Sequence, residues 1–150
     1  MVDIEDIENR IATDEMKDFL PGEPCLDAAS GLLAYSVCRG RDLPDHFGNG
    51  SFADAHLLLG GMIAAQVHLA DRRDRSLAAV RDVISGESFF DFCCQAMTLR
   101  NRFVQARLDR YALPGANECK SLNAIRNTTL TLLNAYLSTP KLQSQVKDKE

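Results

Sequence analysis

Two arginines, Arg100 and Arg107, stand seven residues apart in segment 89–113, a spacing of about two helical turns. With that segment read as one helix, Asp91, Gln95, Thr98, Asn101, Arg102, Gln105 and Asp109 gather on a wet side. Phe89, Phe92, Cys93, Ala96, Met97, Phe103, Val104, Leu108 and Tyr111 gather opposite, and Arg100 and Arg107 fall among them. A guanidinium stays charged on an apolar face, so it needs a carboxylate or several acceptors there. Two arrangements satisfy it. Arg100 and Arg107 either pair with acids from other helices or together hold a small anion such as a carboxylate or phosphate. The ion pair is the commoner arrangement, and the chain is rich in acids.

The five cysteines, Cys25, Cys38, Cys93, Cys94 and Cys119, form no CxxC pair, so neither a zinc site nor a disulfide framework is indicated. Cys93 and Cys94 point about 100° apart on a helix and cannot easily bond each other. Cys93 reads as a small core residue and Cys94 as the more exposed one. His56 and His68 lie twelve residues apart and do not share a helix face, and no HExxH or ExxH spacing occurs. No metal and no cofactor is therefore expected. Asp42, Asp45 and His46 share a loop with Pro44, Gly48, Asn49 and Gly50, which could serve as a catalytic or ligand loop, but turn chemistry alone explains the composition and is the favoured reading.

A basic cluster, Arg72, Arg73, Arg75 and Arg81, offers a nucleic-acid-binding alternative. Against it stand Asp71, Asp74 and Asp82 within the cluster and a sequence pI of about 5.4. A helix-turn-helix forced onto 76–104 would open its second helix with Phe89, Phe90 and Phe92, where a groove reader needs polar side chains.

The elements that must position these residues all read as helices. An acidic first segment, 2–20, carries Ile4, Ile7 and Ile11 in a narrow stripe and ends at Pro21, Gly22 and Pro24. Residues 1–27 hold a net charge of −7, leaving +3 for the remainder of a chain whose total is −4. Such an arm folds back on the body, meets a basic partner, or is simply solvated. Its acidic opening, MVDIEDIENR, lacks the basic start of a signal peptide, so a cytoplasmic chain with reduced thiols is expected.

Asp27 would cap a second helix over 28–39, and Ser51 a third over about 52–70. That third helix is apolar on nearly every side, as a helix buried in a core would be. Asp54, His56, Gln66 and His68 interrupt it too often for a membrane span. Gly60, Gly61, Ala64 and Ala65 strip side-chain bulk from it and would admit a close neighbour. Ser76 would cap a fourth helix carrying Leu77, Val80 and Ile84 inward, and Ser88 the fifth over 89–113.

A sixth helix over 118–138 shows an inner stripe of Leu122, Ile125, Thr129, Leu132, Leu133, Tyr136 and Leu137. Its opposite side carries Asn123, Asn127, Thr128, Thr131 and Asn134, polar but without charge, which suits a protein interface, and ordinary solvent exposure accounts for it equally well.

The expected fold is all-α, a compact bundle of five to six helices around the apolar helix at 52–70. The expected division is an acidic peripheral arm at 1–22, the bundle at 23–139 and a polar tail at 140–150. The expected function is a non-catalytic helical interaction module, an adaptor, regulator or assembly component that self-associates or binds a protein partner. Ile4, Ile7, Ile11, Asn123, Asn127, Thr131 and Asn134 are its candidate surface. Nucleic-acid binding through 72–81 and anion binding or catalysis through Arg100 and Arg107 are the alternatives.

Overall fold

The computed structural model describes residues 16, 19–22, 26–38 and 51–138, except for the side chains of residues 51, 52 and 72. Among them are six α-helices and four short 3₁₀ turns, and no strand. They are α1 (Leu26–Cys38), α2 (Ser51–Leu69), α3 (Leu77–Ser85), α4 (Phe89–Ala96), α5 (Arg102–Leu108) and α6 (Lys120–Leu137). The Ile4, Ile7 and Ile11 stripe, the 40–50 loop with Asp42 and His46, and the 140–150 tail lie outside the described residues.

The apolar helix is the axle of the bundle. Ala55, Leu58, Leu59 and every residue from Met62 to Val67 are buried, and α1, α3, α5 and α6 all pack on it. Gln66, a polar break in this run, is only 4% exposed. Its Oε1 accepts the Ser76 N–H at 3.3 Å, which ties α2 to the start of α3.

The glycines set how close α5 can come. A Cβ placed on Gly61 would stand 2.8 Å from Arg107 Cβ and 3.0 Å from Leu108 Cδ2, inside any normal carbon contact. Gly60 faces the Phe103 ring at 3.6 Å and Ala34 at 3.7 Å, both ordinary contacts. The small-residue spacing therefore marks a real close approach, made at Gly61.

Ser76 caps α3 as its sequence position predicts, its Oγ accepting the Ala79 N–H at 3.0 Å, while Leu77, Val80 and Ile84 are buried. Asp27 is not a cap. The α1 helix starts one residue earlier, and Asp27 lies in its first turn, where a carboxylate still favours the positive helix end. Ser88 precedes α4 without making a side-chain cap bond.

The long fifth helix expected over 89–113 does not exist. The chain runs as α4, a 3₁₀ turn at Met97–Leu99, then Arg100 in the left-handed region at φ 55°, ψ 30°, then α5 and a second 3₁₀ turn at Asp109–Ala112. Asn101 restarts the helix, its Oδ1 accepting the Val104 N–H at 3.0 Å. The Thr98 hydroxyl donates to the Gln95 carbonyl at 2.7 Å, closing the end of the preceding turn. Both side chains take up backbone groups that a continuous helix would have paired internally.

The core reaches back beyond the expected boundary at residue 22. Met16 and Phe19 are fully buried in it, and Arg75 donates to the Phe19 carbonyl.

Candidate functional site

The outer side of α6 is the most unusual surface among the described residues. Between Ser121 and Ser138 the only charged residue is Arg126. Asn127, Thr131 and Asn134 are exposed and share a helical stripe with the exposed Ala124, Ala135 and Ser138. Thr131 returns its hydroxyl to the Asn127 carbonyl at 3.0 Å, which leaves its methyl group as an uncharged contact surface. Asn123, expected on the same surface, is half-buried. Its Nδ2 donates to the carbonyls of Asn117 and Cys119, both at 3.0 Å, and so braces the start of the helix. Thr128, also expected outside, is 4% exposed and belongs to the inner side with Thr129. The usable stripe is therefore narrower than the sequence suggests, and it remains uncharged.

Arg126 itself turns inward to the α3–α4 corner. Its Nε donates to the Ile84 carbonyl at 2.5 Å and its Nη2 to the Gly86 carbonyl at 2.6 Å, capping the end of α3 from across the bundle. The guanidinium also lies 4.9 Å from the Phe89 ring centroid and 5.5 Å from that of Phe90. Partial burial lowers its affinity for the proton, and hydrogen bonding to two carbonyls answers that burial without a carboxylate. Sequence reasoning passed over Arg126, although a single charge within the otherwise uncharged stretch 121–138 was the available signal.

Arg100 and Arg107 are not brought to one inner face, because the break at 97–101 ends the helix on which they would have shared it. Arg100 is exposed at the left-handed corner. Arg107 is half-buried in α5, stacked 3.6 Å from the Phe103 ring centroid, with Nη1 donating to the Phe103 carbonyl at 3.4 Å. Desolvation lowers its proton affinity, and the Asp27 carboxylate acts in the opposite direction. Arg107 also lines a crevice with Asp54, Leu57, Leu58, Ala106, Arg110 and Tyr111. Its cavity volume is about 10 Å³, far below the roughly 300–1,000 Å³ of ordinary ligand pockets, and Asp54 puts a carboxylate where an anion would sit. Arg107 thus fills the space over the α2 glycines by stacking on its own helix.

No family model, curated protein or solved structure matches this chain.

Among the described side chains at 72–81, Arg73 and Arg81 reach solvent, interspersed with the exposed carboxylates of Asp71, Asp74 and Asp82. Arg73 is exposed and Arg72 has no described side chain. Arg75 is 5% exposed and committed to the Phe19 carbonyl. Arg81 pairs with Asp82 at 3.4 Å. At the start of α4, Phe89 is buried and Phe90 half-buried, which removes them from any groove-reading role.

The remaining titratable groups are held by the fold. Burial pushes the Cys93 thiol up to about 12, with Cys94 adding to the rise and Arg126 opposing it, so at neutral pH it is a protonated core group. The Cys94 thiol faces the Ala112 carbonyl at 3.5 Å. Cys119, at the N-cap of α6, is held below its ordinary value chiefly by the Ser121 hydroxyl, with backbone N–H groups of Leu122 and Ser121 assisting. His56 places Nε2 3.1 Å from the Gly31 carbonyl, a donor contact in the tautomer protonated there, and meets the Tyr35 ring edge-on at 5.8 Å. Among the described residues no group of three His, Cys, Asp or Glu side chains could hold a metal ion, and no helix is long and apolar enough to cross a membrane.

Proposed function

We propose that this chain is a helical interaction module, an adaptor or assembly component without a catalytic centre, which self-associates through the outer face of α6. The carrying observation is the uncharged exposed stripe of Ala124, Asn127, Thr131 and Asn134, with Arg126 turned inward and the exposed Lys120 confined to the first residue of the helix. Charged side chains are depleted at interface centres because their desolvation is costly, and Ala and Thr allow a partner helix to approach closely.

Scale supports a shared surface rather than an isolated stripe. An 18-residue helix is roughly 27 Å long. A standard interface buries about 800 Å² on each partner, so α6 would form the centre and neighbouring elements the rim. The catalytic and anion-binding alternatives draw less support, since Arg107, Cys93 and His56 are each engaged in packing or backbone contacts. The nucleic-acid alternative loses Arg75 to the core.

Isotope-filtered NOEs in a sample mixing labelled and unlabelled full-length chains test the reading. Contacts between chains from the Ala124 and Thr131 methyl groups are expected. A self-associated sample whose intermolecular NOEs arise elsewhere, or a chain that gives none, would overturn it.

A further inference from the structure

An open groove lies where the second half of α3 meets α4, at the corner that Arg126 supports from behind. Val83 and Phe92, both half-buried, form its apolar floor, and Asp82, Asp91, Ser88 and Gln95 complete its walls. Its volume is about 680 Å³, counting the space open to solvent. Glu87, exposed in the turn between the two helices, adds a third carboxylate to the same corner.

Two described arginines at this corner, Arg126 and Arg81, both have partners. Arg126 gives its donors to the Ile84 and Gly86 carbonyls. Arg81 reaches Asp82 at 3.4 Å, but 73% of the Asp82 side chain remains in contact with solvent. An exposed pair of this kind is weak, so a second cation can share or displace it. Ser88 does not spend its hydroxyl on capping α4.

We infer that this groove docks a basic amphipathic segment of a partner protein. One apolar side chain of that segment would rest on Val83 and Phe92, while its lysines or arginines would meet Asp82, Asp91 and Glu87. The charge pattern selects the occupant: an apolar floor between carboxylates favours a cationic peptide and repels an acidic one. This goes beyond self-association through α6 and uses a different surface, so α6 substitutions such as N127K/T131K leave it intact.

The test is a titration of the full-length ¹⁵N-labelled chain with an amphipathic Leu–Lys peptide, and separately with its Leu–Glu counterpart, followed by amide shifts. Saturable shifts at Val83, Ser88, Phe92 and Gln95 are expected with the Leu–Lys peptide alone. Asp82→Asn with Asp91→Asn, both exposed, should weaken binding about five- to tenfold, and added salt should weaken it further. The inference is overturned by unchanged affinity in that variant, by equal binding of the Leu–Glu peptide, by absence of shifts, or by shifts confined to the acidic residues of 1–27. Groove shifts that follow protein concentration alone would assign the groove to a second copy. Shifts produced without peptide by K141Q/K147Q/K149Q would assign it to the chain's own tail. Either result likewise overturns docking of a partner.

Discussion

At Arg126 one side chain does the work of a helix cap, a cation–π contact and a tie between elements. Its two donors satisfy carbonyls at the end of α3, and its face lies near two phenylalanines of α4. Arg126→Ala should therefore destabilise the chain by about 2 kcal/mol in chemical denaturation, through two lost charge-assisted bonds and the packing lost with them. Arg126→Lys retains the charge but lacks the planar fork, and should recover less than half of that loss. A loss below about 0.5 kcal/mol for the alanine variant would mean that water replaces the guanidinium without penalty. Arg107 contrasts with it, because its donor contact and its stacking both return to Phe103 on its own helix.

Where α2 meets α5 the backbones come close, and the two glycines of α2 are not equivalent. An alanine at Gly60 meets only contacts of 3.6–3.7 Å, so Gly60→Ala should gain up to about 1 kcal/mol of helix propensity. At Gly61 the new Cβ would collide with Arg107 Cβ at 2.8 Å, an atom that cannot swing away, and would crowd Leu108 Cδ2 and Cγ at 3.0 and 3.1 Å. Gly61→Ala should cost about 1–3 kcal/mol, and thermal melts of the two variants should move in opposite directions. The sequence exposed this helix readily, since its apolar residues surround the whole wheel and its small residues cluster on one stretch. The α3 helix was legible for a similar reason, with a serine cap and a clean inward stripe.

The break at 97–101 was less legible. Phe89, Phe92, Cys93 and Ala96 continue in phase with Phe103, Val104 and Leu108 closely enough for the periodicity to read straight through. The stop is made by Arg100 in a left-handed conformation, a position that residue type does not announce, while Asn101 was the one local cue. Missing that break placed Arg100 and Arg107 on a face they do not share. On α6 the uncharged outer stripe was visible in the sequence, but the inward path of Arg126 depends on a corner 40 residues away.

For the whole molecule, the buried ionisable groups set an alkaline limit. Burial, and secondarily Cys94, raises the Cys93 thiol from an ordinary value of 9.0 to about 12, and burial raises the Tyr111 phenol in the same direction. The folded state thus holds protons that the unfolded chain releases earlier. The stability associated with Cys93 is complete below pH 9 and is lost as pH rises towards 12, with a slope of up to about 1.4 kcal/mol per pH unit. The melting temperature should fall over that window, and Cys93→Ala should flatten the fall even though it lowers stability at neutral pH. An unchanged slope in the variant would place the alkaline limit elsewhere.

The proposed self-association through the outer side of α6 is tested most directly by sedimentation equilibrium of the full chain. The wild type should show a concentration-dependent rise from monomer to a closed oligomer, and N127K/T131K, placed on exposed helical positions, should remain monomeric while retaining its fold. A wild type that stays monomeric at every concentration, or an oligomer that the two lysines leave intact, would contradict it.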